Sequence, residues 1–253
     1  MDFSDPHQRA IFFELHSGLP REGPGNREST ARALALAGVL PAAPRILDIA
    51  CGPGMQTMDL ASLLPAARIT AVDMHEPFLE ELRRRAKAAG VADRIEILRG
   101  DMAALPFPPA SFDLIWCEGA AYIMGVGNAL RVWRPLLRAG GKLALTDAVW
   151  LKPDPPEPVK RCWAEYPAMA DIETNRKLVR DCGYELLGDF VLPDAAWWDD
   201  YYGPMENRLL ELAPKYASDP VANAILLESS GEIELFRLHS AYFGYVFLVT
   251  AKS

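Results

Sequence analysis

The sequence predicts an α/β fold with a mostly parallel, seven-stranded sheet and helices on both faces, and three observations carry that reading. Between residues 45 and 150, short apolar, β-branched runs alternate with segments of helical period, as successive strand–helix–strand units do. The first of these runs ends in a glycine-bearing turn, CGPG at 51 to 54, that leads directly into a helix. The 253 residues are 50% hydrophobic and 24% charged, enough to bury a sizeable core and far from disordered or membrane-spanning composition.

In chain order, residues 1 to 40 read as an N-terminal helical cap of two short helices around the loop LPREGPGN, where glycine and proline mark a turn and Asn26 or Ser29 caps the second helix. The core is expected over 41 to 193 and 240 to 253. Its strands are RILDIA (45 to 50), RITAVD (68 to 73), RIEILR (94 to 99), SFDLIW (111 to 116) and GKLALTDAVW (141 to 150). Between the second and third, Phe78, Leu79, Leu82 and Ala86 recur at helical spacing, Glu80/Arg84 and Glu81/Arg85 pair one turn apart, Pro77 starts the helix and Gly90 stops it. A further helix over 122 to 139 is kinked or ended by Pro135, and Gly140 and Gly141 release the chain. The proline-rich KPDPPEPVK reads as a loop. A helix near 172 to 182 and the strand YELLGDFVLP follow. Residues 194 to 239 form a helical insert, aromatic at its start (Trp197, Trp198, Tyr201, Tyr202), before the last strand AYFGYVFLVT.

Several function classes are disfavoured at this level. With 26 Lys+Arg against 34 Asp+Glu, a net charge of −8 opposes an extended phosphate-backbone footprint, so nucleic acid is not expected as partner. The first residues lack a basic start and an unbroken apolar run, and no stretch is long enough to span a membrane, so a cytoplasmic location is expected. Cys51, Cys117, Cys162 and Cys182 show no CxxC spacing, and the four histidines form no HExxH pattern, so no metal and no disulfide framework are expected.

The chemistry concentrates in ILDIACGPGMQT, residues 46 to 57. Gly52 and Gly54 allow close backbone approach, and the helix N-terminus that follows favours an anionic or carboxylate-bearing group. Asp73, 21 residues beyond Gly52 at the end of the next strand, is placed to accept from a ribose diol. This pairing alone fits a dinucleotide or another adenosine ligand. A dinucleotide fingerprint read from Gly52 requires Gly or Ala where Thr57 stands, however, and Asp48 suits a cationic amino group better than a pyrophosphate. Gly100-Asp101-Met102 ends the third strand with a carboxylate for an adenine amino group. A ligand with amine, carboxylate, ribose and adenine satisfies all of these positions.

The constellation resembles the class I S-adenosylmethionine-dependent methyltransferases. DIACGPG looks like their first motif, with Ala50 for its leading glycine; AVDMHEPFL looks like the acidic second motif. RGDMAALPFPPASFDLIWCEGA and WRPLLRAGGKLALTD look like the third strand through the fifth, so the resemblance covers residues 25 to 150. REGPGN, EGAAY and YFGYVF are similar to a bacterial small-molecule branch akin to ubiquinone and menaquinone methyltransferases. The resemblance implies a Rossmann-like fold and methyl transfer from S-adenosylmethionine to a small-molecule oxygen, nitrogen, carbon or sulfur by in-line displacement. It further implies that Asp48 and the backbone of Ala50, Cys51, Gly52 and Gly54, with Thr57 behind them, hold the methionine part. Asp73 takes the ribose, Met74 packs on the adenine, and Gly100, Asp101 and Met102 border its edge.

Glu118, past the fourth strand, is expected to contact cofactor or substrate, with helix capping as the plain alternative. Tyr122 is expected either to orient the acceptor or to cover the cofactor, and His16 beside the cap loop is the better-placed histidine for a base. Arg21 lies in a loop expected to close over the cofactor. Trp197, Trp198, Tyr201 and Tyr202 either wall an acceptor pocket or pack the insert onto the core. Cys117 reads as a packed thiol, and His75 as a surface or capping group near the adenosine end. The rival readings are an NAD(P)-dependent oxidoreductase and a noncatalytic S-adenosylmethionine-binding protein.

Overall fold

The computed structural model describes residues 4–253. Eight strands form one sheet: β1 (Arg45–Ile49), β2 (Arg68–Asp73), β3 (Ile95–Arg99), β4 (Phe112–Cys117), β5 (Leu137–Trp150), β6 (Ala170–Asp171), β7 (Tyr184–Val191) and β8 (Phe243–Lys252). Their order is β3-β2-β1-β4-β5-β8-β7, with β6 pairing the end of β5. β8 runs antiparallel to both its neighbours and the other pairings are parallel. The chain winds outward from β1 through β2 to β3, then returns to lay β4 on the other side of β1. That reversal opens a crevice at the carboxyl ends of β1 and β4, where open parallel sheets bind ligands.

The expected seven strands become eight because two residues, Ala170 and Asp171, pair with Val149 and Trp150, where β5 has outrun β4. The expected helix over 122 to 139 is shorter. Gly125, at φ 79°, separates a 3-10 turn (Ala121–Met124) from the helix α5 (Val126–Trp133), and β5 has already begun at Leu137. Pro135 has no N–H to continue the ladder, so the chain tightens into a turn at Arg134–Leu136. Gly140, expected to release a helix, instead sits at φ 68° in the irregular start of β5.

The remaining helices are α1 (Pro6–His16), α2 (Arg27–Ala37), α3 (Met55–Leu63), α4 (Glu76–Ala88), α6 (Glu157–Cys162), α7 (Ile172–Asp181), α8 (Ala195–Trp197), α9 (Gly203–Lys215) and α10 (Pro220–His239). The Asn26 side chain accepts from Ser29 N and caps α2 as its residue type predicts. Buried residues of α2, α3 and α4 pack one core with Ile46, Ile69 and Leu114, while α5 and α7 pack another with Leu47, Ile115 and Leu143. Covered on both faces, β4 is buried along its whole length, which is why it reads as a continuous apolar run. The two flanking segments meet: Ile11 of α1 packs with Ala222 and Ile225 of α10, and Glu14 accepts from Lys215 and Tyr216 of the α9 end.

Gly54 starts α3 at φ 82°, and a Cβ there would collide with the Leu82 side chain of α4. Gly54→Ala is expected to cost about 1–3 kcal/mol through overpacking, on top of left-handed strain. Urea unfolding checks this; an unchanged midpoint would mean that α4 yields freely.

Candidate functional site

A cavity of about 530 Å³ opens at the carboxyl ends of β1, β2 and β4. Its floor is the loop after β1. Ala50 and Gly52 hold φ of 55° and 53°, so the chain doubles back over the strand end, and Ala50 stores strain that a glycine would avoid. The turn is pinned from outside: Cys51 N donates to Val72 O, Gly54 N to Cys51 O, and Gln56 Nε2 to Cys51 O. Ala50, Cys51 and Gly52 line the cavity as expected. Gly54 does not, because its conformation serves the contact between α3 and α4.

Asp73 ends β2 on the cavity wall. It accepts from Gly52 N (2.9 Å) and His75 N (2.9 Å), which fixes the carboxylate and leaves acceptor positions over for a diol. Met74 is 62% exposed beside it, a large apolar side chain with a face to give to a ligand. Beside it, at the end of the neighbouring β3, lie Gly100, Asp101 and Met102, with Asp101 Oδ1 accepting from Ala103 N. The five positions assigned to ribose and adenine therefore converge. Sequence reasoning missed a further wall: Phe13 stacks on His75 with centroids 3.6 Å apart, and Phe78 meets both rings edge-on. His75, read as a surface group, lines the cavity because it immediately precedes α4 and is clamped by Phe13 from α1. No local pattern could place Phe13 against it.

Glu118 is brought to the cavity, but as part of a closed network. Trp116 Nε1 (2.8 Å) and Thr30 Oγ1 (3.4 Å) donate to Oε1, and Arg21 Nη1 (2.9 Å) donates to Oε2. Burial raises its pKa and Arg21 opposes that rise. Arg21 itself is 3% exposed and also donates to Asp59 Oδ2 (2.6 Å). The loop that carries it is a fixed wall rather than an open lid. Arg85 donates to the carbonyls of Leu19 and Pro20, Gly25 N donates to Ala196 O, and a Cβ on Gly25 would sit 2.5 Å from Glu118 Oε2.

His16 does not reach the cavity. It is buried, stacks on Phe12 and has Nδ1 2.6 Å from Glu22 Oε2. Glu22 is the group it presents: burial raises the Glu22 pKa, the bond to His16 lowers it, and Oε1 is buried without a partner at the cavity wall. Asp48 is likewise set back. It is fully buried beneath the loop, accepts from Thr57 Oγ1 (2.5 Å) and leaves Oδ1 unpartnered. Burial pushes its pKa up to about 7 against the Thr57 bond. Asp48 and Thr57 thus brace the loop from behind rather than touch a ligand directly.

Of the insert's aromatic residues, none lines this cavity. Trp197, Tyr201 and Tyr202 are buried in the core beneath the insert, Trp197 stacking on Phe236 at 4.2 Å, and Trp198 packs against that core. Tyr122, 42% exposed, does reach the cavity. Burial holds the Cys117 thiol far above its ordinary pKa, in keeping with a packed side chain.

The lining carries four carboxylates (Glu22, Asp73, Asp101, Glu118) against one guanidinium, Arg21, already engaged by Glu118 and by Asp59 outside the lining, so it favours a ligand with positive charge. Residues 46–141 match the protein family described as "Methyltransferase domain". The chain is 31% identical over 210 residues to the 27-O-demethylrifamycin SV methyltransferase of Amycolatopsis mediterranei, covering 81% of this chain and 68% of that one. It is 38% identical over 103 residues to the ubiquinone/menaquinone biosynthesis C-methyltransferase of Paracoccus denitrificans, covering about two-fifths of each: 40% of this chain and 41% of that one. A crystal structure of a methyltransferase from Geobacter sulfurreducens, in complex with S-adenosyl-L-homocysteine, superposes with a TM-score of 0.84 at 21% identity, covering 96% of this chain and 98% of the other. The chain belongs to the S-adenosylmethionine-dependent methyltransferase family.

Proposed function

We propose that this cavity binds S-adenosylmethionine and that the protein transfers its methyl group to a small-molecule acceptor entering beside Tyr122. The observation that carries this is the convergence of Asp73, Met74, Asp101 and Met102 on one wall, across the strained loop from Glu118. The donor set fits the cofactor. Asp73 offers a fixed carboxylate for the ribose, Asp101 one for the adenine amine, and Met74 an exposed apolar face. The unpartnered Glu22 Oε1 and the acidic lining suit the ammonium and sulfonium charges.

When bound, the cofactor supplies an electrophilic methyl group on a sulfonium centre. This chain's residues align the acceptor and exclude water from that centre. Tyr122 and Ile123 form the side of the cavity open to the acceptor. Glu118, its oxygens already engaged by three donors, is a positioning residue: it joins the Arg21 loop to the end of β4 rather than accepting a proton. Net charge −8 favours a small-molecule partner over nucleic acid, and a cytoplasmic setting keeps the four thiols reduced.

Calorimetry tests the reading. S-adenosylhomocysteine is expected to bind and NAD(P)H not to. Asp73→Ala is expected to weaken S-adenosylhomocysteine by about 1.5–3 kcal/mol, the scale of hydrogen bonds to a charged acceptor. Wild-type affinity in a folded Asp73→Ala protein would remove the ribose assignment.

A further inference from the structure

A second group of polar side chains adjoins the cofactor cavity without lining it. β5 outruns β4: Cys117 pairs with Leu145, so Asp147 lies two residues beyond the end of β4. Asp147 is 2% exposed and accepts from the Tyr166 hydroxyl at 3.0 and 3.2 Å. The Tyr166 ring lies 5.4 Å from that of Tyr122, which lines the cofactor cavity. Gly119, also on that cavity, abuts Tyr245: a Cβ on it would lie 3.4 Å from the Tyr245 ring. From the insert, Tyr202 donates to Glu232 Oε1 at 2.8 Å, and Tyr201 stacks on Tyr202 with centroids 4.9 Å apart.

We propose that these groups form the acceptor subsite and that its acceptor is a cationic amine, seated by Asp147 and Glu232 among Tyr122, Tyr166, Tyr201 and Tyr245. The proposal rests on the methyltransferase reading above. Tyr201 and Tyr245 are 8% and 9% exposed, and neither hydroxyl makes a hydrogen bond among the described residues. Two largely buried phenols with uncommitted hydroxyls are therefore free to meet a ligand. Glu232 is tied to the same group through Tyr202, whose hydroxyl donates to it and whose ring stacks on Tyr201, and its charge adds to the raised pKa of Tyr122 and Tyr201.

The charges facing this space are one-sided. Glu228 adds a third carboxylate beside Glu232, and His16 is the one basic group among the described residues that bears on Glu232. Asp147 is faced by the Tyr166 hydroxyl and the Ala148 N–H. An ammonium group gains from the carboxylates and from the negative faces of the tyrosine rings. A neutral hydroxyl acceptor leaves those carboxylates uncompensated, and an anion is repelled. The amine must be neutral to attack. Burial pushes the Asp147 carboxyl up to about 7, so one N–H proton of the ammonium passes to an Asp147 oxygen, leaving the nitrogen lone pair free and the carboxyl neutral.

Calorimetry on the protein saturated with S-adenosylhomocysteine tests this with three probes of one shape: benzylamine, benzyl alcohol and benzoate at neutral pH. Benzylammonium is expected to bind at least about tenfold more tightly than the alcohol, with benzoate weakest. Glu232→Gln and Asp147→Asn are each expected to weaken benzylammonium by about fivefold or more while leaving the alcohol unchanged. Glu232→Gln keeps an oxygen for the Tyr202 hydroxyl, and a wild-type melting temperature in that variant excludes a folding defect as the cause. Alcohol or benzoate binding as tightly as the amine, or variants that hold the amine like wild type, would overturn the proposal. Failure of S-adenosylhomocysteine itself to bind would instead overturn the methyltransferase reading and this subsite with it.

Discussion

Arg21→Met is expected to destabilise the protein by about 3–5 kcal/mol, the cost of stripping buried carboxylates of their counter-ion. One guanidinium serves three acids: Nη2 reaches Asp59 at 2.6 Å, Nη1 reaches Glu118 at 2.9 Å, and Nε lies 3.6 Å from Asp200. The Asp59 and Glu118 side chains are 11% and 7% exposed, and burial raises both their pKa values. Arg27, at 3.4 Å from Asp59, is too exposed to replace the lost charge. Urea unfolding measures the loss, and adding Glu118→Gln to the Arg21→Met background is expected to recover part of it. Wild-type stability in Arg21→Met would mean that water, not Arg21, solvates these carboxylates. Glu118→Gln alone is expected to lower the melting temperature while changing S-adenosylhomocysteine affinity less than about tenfold, as a positioning residue does.

Stability is also expected to fall as the pH rises from about 4 to about 8. Burial pushes both Asp48 and Asp147 from the ordinary 3.8 up to about 7. Below about 4 each is protonated in both the folded and the unfolded chain, and neither costs anything. Between about 4 and 7 the unfolded chain ionises while the fold retains the protons, so the stability they contribute drains away. Above 7 the full cost of two buried anions is reached, up to about 4 kcal/mol for each. Glu81 has the opposite sign: hydrogen bonding from Arg84 lowers it to about 2, so its contribution is present above 4.5 and is lost only in acid. Melting temperatures across this range, for wild type and Asp48→Asn, provide the check. The drop is expected to shrink in Asp48→Asn, which keeps an oxygen for Thr57; an equal drop in both would exonerate Asp48.

The centre of the sheet was legible because its central strands are covered on both faces, which leaves largely apolar runs such as LIWC in β4 and VFLV in the antiparallel β8. This wall of the cavity was legible because the loop and strand ends that build it follow one another closely in the chain. Gly52 N bonds Asp73, and Gly100 N bonds Asp73 O, so each motif is held by the next. The helix over 122 to 139 was overextended because its apolar spacing persists through Leu136 and Leu137, while Gly125 and Pro135 divide it. Periodicity records which residues are buried, not which backbone hydrogen bonds are possible.

The insert shows the same limit. Its clustered aromatics are equally compatible with a pocket and a core, and packing sent Trp197 and Tyr202 to the core against Phe236, while Tyr201 borders the proposed acceptor subsite. Sequence by itself determined the succession of strands in the binding half, the glycine-bearing loop and the acidic positions Asp73 and Asp101 at strand ends, since these depend on interactions between neighbouring strands and turns. Tertiary structure alone decided the rest. It closed Glu118 into a network with Arg21, 97 residues away, retired His16 behind Glu22, brought Phe13 onto His75, and set Asp147 among tyrosines from three separate segments. The physical reason is that a buried charge takes its meaning from what solvates it. Those partners come from elements distant in sequence, whose meeting only the packed chain specifies.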